Sequence, residues 1–125
     1  MRMTEDGSRP LPVAFEPRPK EEYLSVDWLE HLADNRPDQL QRLRPLLLQR
    51  FSGGVGAKAR LVVLKVGITR AKVTDVDLEF IHEPNEADPS PAHSGIHGVP
   101  SAEDVLMLSV AAAIAETFQE VHVAR

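Results

Sequence analysis

The chain has 125 residues, of which 42% are hydrophobic and 26% charged, and its formal net charge is −5. This composition belongs to one folded domain with a modest core and excludes a wholly disordered chain. There is no cysteine, which excludes disulfides, a thiol nucleophile and cysteine-bound zinc or iron–sulfur groups.

The first residues lack the apolar stretch of a signal peptide, so the expected address is the cytoplasm. The most apolar window, residues 105–115, is interrupted by Ser109. It falls well short of the roughly 20 residues needed to cross a bilayer, so no membrane role is expected. Charge is unevenly placed. Residues 34–72 carry nine Arg or Lys against two Asp, whereas residues 73–125 carry ten acids against one Arg. Two halves of opposite sign can neutralise one another across a fold, which is preferred here over two exposed poles.

Residues 1–22 hold Pro10, Pro12, Pro17 and Pro19, so they are expected to form a flexible proline-containing arm ahead of a compact domain over 23–125. An edge strand near Val13 and Phe15 is the alternative for part of the arm. Ser25 is read as the cap of a first helix, because Val26, Leu29 and Leu32 recur at helical spacing. Trp28, one residue off that stripe, would close an edge of the core. A second helix starts near Pro37 and buries Leu40, Leu43, Leu46 and Leu47, with Pro45 expected to kink it or split it in two. Ser52, Gly53 and Gly54 end it.

The aliphatic run over residues 61–66 predicts a central strand covered on both faces. Alternation of Val76, Leu78 and Phe80 with Asp75, Asp77 and Glu79 predicts a second strand within residues 71–82, forming a hairpin with the first and turning its acids to solvent. Residues 83–100 show no period and read as a long loop, unusual enough in a compact domain to draw functional interest. Ser101 and Asp104 suggest the start of a third helix, apolar around most of its circumference over residues 105–118. Val121, His122 and Val123 close the chain as a short strand. The expected fold is therefore α+β: a small mixed or antiparallel sheet of three to four strands packed against two to three helices.

Two kinds of function compete. In the first, the chain is a non-enzymatic interaction or assembly protein without a cofactor. It would form a homo-oligomer such as a dimer, or engage another protein, through Val105, Leu108, Ala112 and Ala115 of the third helix or through a sheet edge. In the second, the chain is a small hydrolase in which Asp88, His93 and His97 of the long loop bind zinc or manganese and Glu86 activates water. Imidazole and carboxylate are suitable donors, but Gly95 and Gly98 work against the helix that would align the two histidines. The glycines around Lys58 lack the register of a phosphate-binding loop. Arg42, Arg44, Arg50, Lys58 and Arg60 offer charge to nucleic acid, yet the overall sign is negative and aromatic residues are scarce among them.

Overall fold

The computed structural model describes residues 1–19 and 21–125. In chain order they form β1 (Leu24–Asp27), α1 (Arg36–Arg50), β2 (Arg60–Val63), α2 (Val66–Lys72), β3 (Glu79–His82), β4 (His93–His97), α3 (Met107–Glu116) and β5 (Glu120–Val123). The fold is α+β, with three helices and two antiparallel sheets, one ordered β1-β4-β3 and the other β2-β5. Among the described residues, no helix is long and apolar enough to cross a membrane.

The three-stranded sheet arises from period-two patterning. Leu24 and Val26 alternate with Ser25 and Asp27, so this segment pairs as a strand instead of beginning a helix at Ser25. Leu24 lies opposite Ile96 and Ile96 opposite Phe80, which puts the three on one face. With Leu78 they meet Phe15 and the inner side of α3, formed by Val110, Ala111, Ile114 and Ala115. The central strand is β4, inside the stretch expected to be a long loop. Gly98, at φ +90, ends it, and its missing Cβ lets the chain pass against the Asp77 carbonyl.

A second core lies under α1. Asn35 caps this helix by accepting a hydrogen bond from the Asp38 amide at 3.0 Å, and Pro37 sits in the first turn where no intrahelical donor is lost. Leu43 and Leu47 pack with Leu32, Ala92 and Ala124, flanked by Leu46 and Leu61. The expected split at Pro45 does not occur: α1 continues to Arg50, with Pro45 on its exposed side. There the Gln41 carbonyl that lacks an amide partner can meet water.

The aliphatic run is not a central strand. Only Arg60–Val63 is extended, and it belongs to a two-stranded ribbon in which Val62 faces Val121. Lys65 stands at the N-cap position of α2 without a side-chain cap, its carbonyl accepting from the Thr69 amide at 3.0 Å, and the expected hairpin between residues 61–66 and 71–82 gives way to helix Val66–Lys72. The buried Thr69 hydroxyl of that helix lies 2.9 Å from the hydroxyl of Thr117 beyond α3, and Thr117 in turn donates to the Ile114 carbonyl at 2.7 Å. These bonds satisfy two hydroxyls that burial would otherwise leave costly. Asp75, Asp77 and Glu79 are exposed, as their alternation indicates. The third helix begins at Met107, later than Ser101, and Asp104 accepts a hydrogen bond from the Leu106 amide at 2.8 Å ahead of it.

Residues 1–22 include a compact unit. Met3 bridges Pro10, and the Asp6 carboxylate accepts hydrogen bonds from the Thr4 hydroxyl at 2.7 Å and the Ser8 hydroxyl at 2.8 Å. Those bonds, Thr4 first and then Ser8, lower its pKa to about 2. A turn of 3₁₀ helix, Pro12–Phe15, follows where an edge strand was the alternative, and it packs against α3 with Phe15 buried.

The charge halves do join through ion pairs. Arg36 meets Glu120 at 3.1 Å, Lys72 meets Glu116 at 3.1 Å, and Arg50 meets Asp88 at 3.0 Å. In each pair the cation comes from residues 34–72 and the anion from residues 73–125.

Candidate functional site

The polar face of the three-stranded sheet is where chemically able side chains gather. On β4, His93, Gly95 and His97 point away from the face that carries Ile96. Asp27 of β1 stands opposite His93, and Ser25 opposite Gly95. Tyr23, just before β1, stacks on His97 with ring centroids 4.8 Å apart and presents an edge to His93 at 6.2 Å.

Gly95 is the notch that makes this arrangement fit. A Cβ here would run into the Glu83 carboxylate, and would lie 2.6 Å from Cδ2 of Tyr23 and 3.0 Å from Nε2 of His97. The His97 Nε2–H donates to Glu83 Oε1 at 2.7 Å, while the His93 Nδ1–H donates to the Glu83 backbone carbonyl at 3.1 Å. A carbonyl can only accept, so the proton of His93 is on Nδ1. Glu83 therefore binds both histidines, one through its side chain and one through its main chain.

At the other end of the face, Arg50 reaches in from the last turn of α1. It donates to both oxygens of Asp27, at 3.1 and 3.0 Å, and to Asp88 Oδ1 at 3.0 Å. Burial opposes the arginine's charge, but the hydrogen bonds and charges of the two aspartates outweigh it and raise the Arg50 pKa. Asp88 has the converse balance: burial would raise its pKa, and the Ser90 amide with Arg50 reverses the sign and lowers it. The buried Arg50 Nε has no hydrogen-bond partner among the described residues.

The sequence-predicted metal set is thus dispersed into other bonds. Asp88 Oδ2 and His93 Nε2 are 4.0 Å apart, Asp88 is already paired with Arg50, His97 turns to Glu83, and Glu86 is exposed. Among the described residues, no three His, Asp or Glu side chains come together as a metal-binding group. The residues that sequence reasoning missed are Tyr23, Asp27 and Glu83, and Arg50 was read for nucleic acid instead of for the aspartates it binds. The legible signal was the alternation of Ala92, Ser94 and Ile96 with His93, Gly95 and His97, which marks a strand with one polar side.

A second cluster flanks the sheet. His31 and His82 stack face to face, their centroids 3.7 Å apart and their planes 7° from parallel, and Trp28 presents an edge to His31 at 5.6 Å. The His82 Nε2–H donates to the Pro91 carbonyl at 2.8 Å, and the Trp28 amide donates to the Ala92 carbonyl at 2.8 Å. These contacts fasten the segment between β3 and β4 to the turn after β1.

The α1 arginines read as a nucleic-acid surface are engaged within the fold. Arg42 donates to the Leu32 carbonyl at 2.6 Å, Arg44 to the Val123 carbonyl at 3.0 Å, and Arg50 to its aspartates. Arg60 likewise donates to the Ala57 and Ala59 carbonyls, at 3.0 and 2.9 Å.

The expected interface residues divide by position on or before α3. Ala115 is buried in the core and Ala112 is partly covered, whereas Leu108 is 64% exposed and Val105, in the turn before the helix, is 94% exposed. No family model, characterised protein or solved structure matches the chain.

Proposed function

We propose that the chain is a non-enzymatic interaction and assembly protein that self-associates through the outer side of α3. The observation that supports this reading is the exposure of Val105 and Leu108 beside a helix whose opposite side is sealed in the core. Water-exposed aliphatic side chains grouped at one place gain by being covered, at about 25 cal/mol per Å² of apolar surface removed from water. The polar face of the sheet serves as framework in this reading: its donors and acceptors are directed to one another and fix β4 in register.

The test is mass in solution across a concentration series, by light scattering. The wild-type chain should rise from 13.8 kDa towards twice that mass. Leu108→Glu, which places a charge where the partner would sit, should remain monomeric at concentrations where the wild type associates. A wild-type chain that is monomeric throughout the series contradicts the proposal.

A further inference from the structure

The N-terminal unit is attached to the rest of the protein in an unusual way. Among the described residues, every hydrogen bond of residues 1–22 is made inside that stretch: Thr4 with Arg9, Gly7 with Thr4, Leu11 with Arg2, Ala14 with Leu11, Glu16 with Val13, and Glu21 with Arg18. The side-chain bonds of Asp6 and the pairing of Arg18 with Glu21 are also internal. What holds the unit to the body is packing: Ala14 and Phe15 enter the core shared with α3, Pro10 and Pro17 on either side of them are buried as well, and Gly7 lies beside the Arg60 side chain.

We propose that this unit is an exchangeable strap: in the self-associated protein, Phe15 of one copy seats against α3 of a second copy. The inference rests on the self-association proposed above and specifies how the copies are joined. The occupant is fixed by complementarity, because a second copy's strap carries the same Phe15 and Ala14 that already fit the seat. Among the described residues, exchange breaks no hydrogen bond between strap and body, so apolar contacts are exchanged like for like. The connection between strap and body contains Pro17 and Pro19, whose fixed backbone angle favours an extended course over a tight return. A strap on a short tether has an effective concentration in the millimolar range for its own seat. Exchange alone would therefore be confined to very concentrated protein, and contact at Val105 and Leu108 is what brings it into reach.

Tether length separates this arrangement from simple face-to-face pairing. Inserting Gly-Ser-Gly-Ser after Pro19 lets each strap return easily to its own body, whereas deleting Arg18 and Pro19 hinders the return; neither change touches the core. For an exchanged dimer, light scattering should show the insertion weakening association at least tenfold and the deletion strengthening it by a similar factor. A dimer whose association constant is the same in all three chains overturns strap exchange and leaves pairing through Leu108 standing. Dependence on tether length combined with indifference to Leu108→Glu supports exchange and removes the α3 surface as its aid. A wild-type chain that is monomeric at every concentration overturns both proposals.

Discussion

The two faces of the three-stranded sheet hold the same strand by different means. On one side Ile96 is almost completely enclosed with Leu24, Phe80 and the inner residues of α3. On the other, His93 and His97 are bound by Glu83, and Arg50 ties Asp27 to Asp88. The apolar side gains from burial and tolerates some change of shape, whereas the polar side depends on each group keeping its partner. A strand rich in His, Ser and Gly can therefore be the centre of a fold, provided its polar side is satisfied by neighbours.

The contrast breaks most severely at Ile96. Ile96→Ala leaves a cavity in the centre of the core and should cost about 3–4 kcal/mol, measured by urea unfolding. Next comes Arg50→Met, which keeps much of the bulk but leaves two nearly buried aspartates without their cation. The loss should be about 2–3 kcal/mol, below the ~3–5 kcal/mol of a fully buried pair because the Arg50 side chain retains 23% exposure. A loss near zero would show that the apolar side suffices to place β4. Gly95→Ala tests the polar side sterically. The added methyl displaces the Glu83 carboxylate and the Tyr23 ring, for about 1–2 kcal/mol by the same measurement.

The smallest effect is that of acid. Glu120 is held below its ordinary pKa first by the Arg36 hydrogen bond and then by that of His122, and Asp88 is lowered as described above. Because the folded values lie below the unfolded ones, the stabilisation is complete above the ordinary carboxylate range, about 4. It is lost as pH falls through the lower folded values. The thermal midpoint should fall between pH 5 and pH 3, and Glu120→Gln should shallow that fall.

These particulars also explain which parts of the fold could be read in advance. The α+β class, α1 with its Pro37 start, the apolar third helix and the last strand follow from local period and capping, which neighbouring residues determine by themselves. Residues 61–66 misled because an aliphatic run is compatible with helix as well as strand, and a helix begins at Val66, the last residue of the run. Residues 83–100 misled in the opposite direction: two histidines, two glycines and four prolines hide a strand whose burial is decided by partners far along the chain. The candidate site was half legible. His93, His97 and Asp88 do lie in one polar region, but the groups that claim them, Glu83 and Arg50, were not part of the expected metal set. Arg50 looked like charge available to nucleic acid, and its pairing with Asp27 shows only once the end of α1 lies beside β1.

The order of the strands also bears on how quickly the protein can assemble. β3 and β4 are near one another in the chain and can meet through a short closure, but β1 must find β4, and β2 must find β5, across roughly half of the sequence. Such distant pairings cost loop entropy before they are rewarded, which slows folding relative to a helical bundle of local contacts. Until β1 arrives, the outer edge of β4 remains open to any passing strand, so the newly made chain is at its most vulnerable to aggregation in that interval.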